Sequence, residues 1–177
     1  MLLGFRCYHC GNKDTITRFC EDSSFMPISK HLYDRQWAGP GMYLWDNLSN
    51  AKSWYNSRND KEQRRICKCY LRIDEDNLLD MTDFETAESM QEFIKMMEQT
   101  EEVSTTDEVG TKIAFIAKTL NSQAIKLFGN YPHFKQNPFF EGYNKEKAHA
   151  DITAKVIYCV REGNPDILIE RELEEVI

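Results

Sequence analysis

The stretch Trp37-Ala38-Gly39-Pro40-Gly41-Met42-Tyr43-Leu44-Trp45-Asp46 decides how this chain reads. Two glycines flank a proline, and bulky side chains follow without a break. Gly41 to Trp45 is predicted as a short strand, in which successive side chains point to opposite faces. Tyr43 and Trp45 then share one face, and Met42 and Leu44 share the other. One face packs a core. The second either packs as well or offers a flat aromatic surface to a ligand. The glycines let a ligand or a neighbouring backbone come close.

Upstream, Leu3 to Cys10 is short, apolar and aromatic, and Gly11-Asn12 ends it, so it reads as a strand. Lys13 to Cys20 predicts a short helix with Ile16 and Phe19 on one face. Glu21 to Pro40 has no clean periodicity and reads as a long surface loop, a length that tends to be functional. Downstream, Ser49 is the predicted cap of a helix to about Ser57. Arg65 to Ile73 reads as a strand, and Leu78-Leu79-Asp80 follows it. Thr82 is the predicted cap of a helix from Asp83 to about Gln99, with Phe84, Ala87, Met90, Phe93, Ile94 and Met97 at helical spacing. After the acidic loop Glu101 to Asp107, a second long helix starts at Gly110 or Thr111. Its predicted buried stripe is Ile113, Ile116, Ala117, Leu120, Ala124 and Leu127. Phe128 to Asp151 reads as irregular, Lys155 to Val160 as a strand, and Ile167 to Ile169 as a short strand before a charged tail. Strands at both ends with helices between them predict an α+β class.

A chain of 177 residues suits one domain, spanning 1–177. Apolar residues make up 41% and charged residues 29%, ordinary values for a globular protein. The net charge of −7 argues against nucleic acid as the obvious partner, although Arg64, Arg65, Lys68 and Arg72 form a local basic group. No apolar run is long enough for a signal peptide or a membrane span, so a cytoplasmic protein with reduced thiols is expected and no membrane partner.

Three places carry possible chemistry: Tyr8-His9-Cys10-Gly11, the Trp37–Asp46 stretch, and Phe139-Phe140-Glu141-Gly142 ahead of the strand ending Cys159-Val160-Arg161. A strand ending Tyr-His, then Gly-x-Gly-x-Tyr-x-Trp with an acidic residue next, then a helix with Ala and Trp, resembles the ADP-ribosyltransferase superfamily. The similarity is greatest to the small bacterial and phage-associated branch of its His-Tyr-Glu type. Leu78-Leu79-Asp80 and Asn164-Pro165 fall where that branch has similar stretches. The resemblance implies a split β-sheet core with inserted helices, and NAD as substrate, lying across a cleft between the strand ending at His9 and the strand carrying Tyr43. His9 would hold the adenosine-side ribose, Tyr43 would stack on the nicotinamide, and Glu141 would be the third catalytic residue. His9, Cys10, Gly11, Gly41, Tyr43 and Trp45 would line the NAD site. Cleavage of the nicotinamide–ribose bond builds positive charge on the sugar, which a fixed carboxylate stabilises. Small members of this branch act on a protein or nucleic-acid acceptor and often serve as toxins or in phage defence, which implies an antitoxin or other regulatory protein as a possible partner.

Two departures stand out. The family has Gly directly after the His, whereas here Cys10 intervenes before Gly11. Either the Cys10 backbone takes over that contact or the loop is reshaped. The family glutamate sits just before its strand, which leaves Asp151 and Glu146 as alternatives to Glu141. Three other readings compete. A zinc site could draw on Cys7, Cys10, Cys20, Cys67, Cys69 and His9. Cys-His catalysis could pair Cys10 or Cys20 with His31, His133 or His149. A catalytically degenerate binding module of the same fold is the third.

Overall fold

A computed structural model of the chain describes residues 1–32, 37–130 and 154–175. Glu141, Glu146, Asp151, His133 and His149 lie outside these described residues. Among the described residues, seven strands form one sheet in the order β4-β5-β6-β2-β1-β3-β7. They are β1 (Leu2–Asn12), β2 (Met42–Trp45), β3 (Arg64–Asp74), β4 (Leu78–Asp80), β5 (Ala124–Asn130), β6 (Ala154–Val160) and β7 (Leu168–Glu174). The helices are α1 (Lys13–Glu21), α2 (Leu48–Asn56), α3 (Phe84–Gln99) and α4 (Val109–Thr119). The α+β class read from the sequence holds. No helix among the described residues is long and apolar enough to cross a membrane.

All neighbouring strands pair antiparallel except β4 and β5, which run parallel because α3 and α4 intervene. The ladder is uneven. β1 and β3 pair along their whole lengths, from Leu2↔Asp74 to Asn12↔Arg64. β1 and β2 share only Tyr8↔Trp45. The sheet is therefore nearly cut in two, with β4-β5-β6-β2 on one side and β1-β3-β7 on the other.

Alternation along the strands sets the layers. Cys7, Met42, Leu44, Cys67, Cys69, Leu71, Tyr158 and Val160 point to one side and bury Ile16 and Phe19 of α1. On the other side, Leu79, Ile125, Leu127 and Cys159 bury Ile94 of α3 and Ile113, Ile116 and Ala117 of α4. Cys10, Trp45, Ile66 and Ile157 bury Ala51 of α2 on that same side. Sequence periodicity anticipated α1 through Ile16 and Phe19, which are both fully buried.

Four local readings are corrected. The cap of α2 is Asn47, whose side chain accepts from the Asn50 amide at 2.9 Å, so the helix begins before Ser49. The cap of α3 is Asp83, which accepts from the Thr86 amide at 2.8 Å; Thr82 instead donates to Asp80. The second long helix stops at Thr119. Asn121 adopts φ 53°, and the Asn121 and Ser122 amides bond back to Lys118 and Ala117. That wrap closes the helix end, and Asn tolerates the left-handed conformation it needs. Ala124 and Leu127 thus belong to β5, where Leu127 pairs with Ile157, and Leu120 is half exposed. The charged tail is strand rather than helix: Lys68 of β3 meets Glu172 of β7 at 2.7 Å.

Candidate functional site

The Trp37–Asp46 stretch forms a turn that feeds β2 into the middle of the sheet. Gly39 has φ 74°, in the left-handed region, and a Cβ there would lie 2.7 Å from the Ala114 Cβ of α4. A Cβ on Gly41 would lie 2.7 Å from the Val160 carbonyl oxygen, and closer still to the Cys159 sulfur. Trp37 lies against Gly129 of β5, where a Cβ would be 2.5 Å from its ring. The close approach that these glycines permit is therefore to neighbouring backbone and helix. Tyr43 is bound into the same turn. Its hydroxyl donates to the Gly39 carbonyl at 2.5 Å and accepts from the Ala38 amide at 3.3 Å. Its ring meets Trp37 edge-on, with centroids 6.3 Å apart.

His9 sits where the β1–β2 ladder opens. Its ring projects to the α1 side of β1: its Nε2 and Ile16 of α1 both crowd the space above Gly11. Nδ1 lies 2.7 Å from the Tyr43 carbonyl oxygen. A carbonyl can only accept, so Nδ1 carries the proton and donates, and Nε2 of the neutral ring is an acceptor. Burial holds the ring below the ordinary histidine value; the Tyr43 carbonyl opposes this and the Arg64 charge adds to it. At neutral pH the ring is neutral.

The Tyr43 side chain is on the opposite side of the sheet, among Trp37, Trp45 and Cys159. His9 and Tyr43 thus meet through a carbonyl, not through their rings. A ligand touching both rings has to enter at the opening between β1 and β2. Trp45 is buried and stacks obliquely on Trp54 of α2 at 6.2 Å. The Arg58 guanidinium lies 3.8 Å over the other aromatic system of that pair, Trp54.

The Cys10 question resolves in the strand itself. β1 runs on through Cys10↔Ile66 and Gly11↔Arg65, so no loop begins at Gly11. The Cys10 side chain is buried beside Trp45, Ala51 and Ile66, and burial pushes its thiol up to about 11. A thiol so raised is a core group and a poor nucleophile. Cys7 and Cys10, three apart on a strand, face opposite sides of the sheet. The Cys7-x-x-Cys10 pair therefore cannot converge on zinc, and no group of three or more metal-binding side chains gathers among the described residues.

The sequence reading gave Arg64 no role beside His9 and did not single out Arg58. Arg64 begins β3 beside Asn12 and pairs with Asp60 at 2.8 Å, and Arg58 follows α2 and lies over Trp54. Two members of the basic group noted in the sequence are paired: Arg64 with Asp60, and Lys68 with Glu172. The signal for Arg64 was its spacing from Asp60, which fits a tight turn into a strand. Compared with known protein families and curated proteins, the chain matches no family model and no curated sequence.

Proposed function

We propose that this chain is an NAD-dependent ADP-ribosyltransferase with a split-sheet core, which binds NAD at the opening between β1 and β2. One observation carries the reading. His9 stands where the β1–β2 ladder parts after a single pair, held neutral, with Nδ1 committed to the Tyr43 carbonyl and Nε2 left as an acceptor. A ribose hydroxyl donates to such an acceptor. Trp37, Tyr43 and Trp45 supply aromatic surface on the far side of the opening for the nicotinamide.

The reaction this supports breaks the bond between the ribose anomeric carbon and the nicotinamide nitrogen. The bond's electron pair leaves with nicotinamide, and positive charge grows on the sugar. A carboxylate stabilises that charge; Glu141 is the first choice, with Asp151 and Glu146 the alternatives. A nucleophile of a protein or nucleic-acid acceptor, or water, then bonds to the anomeric carbon and gives up its proton. A role as a toxin or in phage defence, with an antitoxin as partner, belongs to the same proposal.

A second reading, a binding module that cleaves nothing, is favoured by the Tyr43 hydroxyl. It is spent on Gly39 and Ala38, so Tyr43 already has a structural task. One experiment separates the two. Nicotinamide release from NAD is followed for the wild type, Glu141→Gln, Tyr43→Ala and Tyr43→Phe. The transferase reading expects release by the wild type, a loss of about 100-fold or more in Glu141→Gln, and a larger defect in Tyr43→Ala than in Tyr43→Phe. NAD binding with no release over hours establishes the module instead. Full activity in Glu141→Gln moves the carboxylate to Asp151 or Glu146.

A further inference from the structure

Away from this opening, the densest group of reactive side chains lies under α1. Cys7, Cys67 and Cys69 are buried on the α1 side of β1 and β3, and Cys20, in the last turn of α1, packs against the same cluster. Cys20 is part-buried, while Cys67 is fully buried. The two side chains interact with each other within this cluster. The Arg171 guanidinium donates to the carbonyls of Phe19 at 3.2 Å and Asp22 at 3.0 Å, on either side of Cys20 in the chain. The interaction with Cys67 and the Arg171 charge hold the Cys20 thiol below its ordinary value against partial burial, and the thiolate is the oxidisable form.

We propose that Cys20 and Cys67 are a peroxide-oxidisable pair that staples α1 to β3 by a disulfide. The Cys20 thiolate attacks one oxygen of hydrogen peroxide. The S–O bond forms, the O–O bond breaks and hydroxide leaves, so the sulfur is oxidised to a sulfenic acid while the peroxide is reduced. The Cys67 sulfur then attacks the Cys20 sulfur. The S–S bond forms, the S–O bond breaks, and the oxygen leaves with the Cys67 proton as water. Access sets the order of the steps, because peroxide reaches Cys20 from solvent and Cys67 is reached only from Cys20. Cys7, Cys67 and Cys69 are all raised, so interaction with Cys20, and not acidity, selects Cys67 as the partner. Cys67 is also the register partner of His9, so the staple fastens the strand beside the opening. The pairing itself does not depend on the proposed NAD chemistry.

The full chain is reduced, freed of reductant and exposed to hydrogen peroxide. It is then alkylated and studied by intact mass and by peptide mapping without reductant. The expected product has lost two hydrogens, contains Cys20 cross-linked to Cys67, and returns to the starting mass with dithiothreitol. Cys20→Ser, which keeps the side-chain size at a part-buried site and whose fold is checked by circular dichroism, gives no cross-link. Cys69→Ala still gives the Cys20–Cys67 cross-link. The proposal is overturned if peroxide leaves only sulfinic acid on Cys20, if Cys20 pairs with Cys7 or Cys69, or if excess peroxide leaves the wild-type mass unchanged.

Discussion

Replacing Arg171 by Met is expected to cost this fold about 3–5 kcal/mol. Arg171 lies on β7, and its guanidinium donates to the carbonyls of Leu168, Phe19, Asp22, Phe25 and Ser23 at 2.8–3.2 Å, and to that of Pro165. It also lies 4.3 Å over the Phe19 ring. One side chain thus ties the last strand to the end of α1 and to the loop beyond it. Met keeps the packing of the stem and removes every donor. A hydrogen bond to a charged group contributes about 1.5–3 kcal/mol net. Burial opposes the Arg171 charge and lowers its pKa, and carbonyls near the surface recover water. At about 1 kcal/mol for each of the part-buried bonds after those offsets, the loss comes to about 3–5 kcal/mol. That is a large share of the roughly 5–15 kcal/mol that holds a domain folded. At about 2–4 °C per kcal/mol the thermal midpoint falls by about 6–20 °C. Urea unfolding followed by far-ultraviolet circular dichroism measures the difference, with Arg171→Lys alongside. An ammonium has three donors and no planar fork, so Lys should recover only a part. A loss under about 1 kcal/mol in Arg171→Met, or full recovery in Arg171→Lys, refutes the reasoning.

Gly41→Ala should destabilise by about 2–3 kcal/mol, because its Cβ would press on the Val160 carbonyl, and backbone in the sheet centre yields little; a urea midpoint equal to wild type would contradict this. His9 gives the stability a pH dependence. Its folded pKa is lowered, chiefly by burial, so the unfolded chain takes up a proton that the fold resists. That contribution is complete above the unfolded value of about 6.5 and is lost as pH falls through the folded value. Urea midpoints measured from pH 7.5 to 5 should therefore drop more steeply for wild type than for His9→Gln, and parallel curves would count against a part-buried ring held neutral. Asn121→Val should weaken the end of α4 by about 1 kcal/mol or more, since a β-branched residue resists positive φ; faster amide exchange over 116–122 is the readout.

Much of the fold was legible because local rules and tertiary context agreed. Ile16 and Phe19 marked the inner face of α1, and the run Lys155 to Val160 marked β6. Leu120, Ala124 and Leu127 misled because their spacing continues the α4 stripe. Periodicity weighs every apolar residue alike, whereas one left-handed Asn121 ends the helix and turns the chain into a strand. The caps slipped by one or two residues for a similar reason: Asn47 and Ser49, or Thr82 and Asp83, are equivalent in composition, and only the direction of the incoming backbone selects between them.

The candidate site divides in the same way. The sequence by itself determined that Gly39 lies in a loop and that Tyr43 and Trp45 share one face of a short strand, since loop composition and side-chain alternation are local properties of the chain. It also determined that His9 ends up on a strand. Only the tertiary structure decided that β1 and β2 part after Tyr8↔Trp45, that His9 donates across the parting to the Tyr43 carbonyl, and that Tyr43 turns to the opposite side. Those facts depend on which strands become neighbours. Pairing of residues more than thirty positions apart is chosen by the packing of α1, α2 and α4 against both faces of the sheet, and no local pattern encodes it.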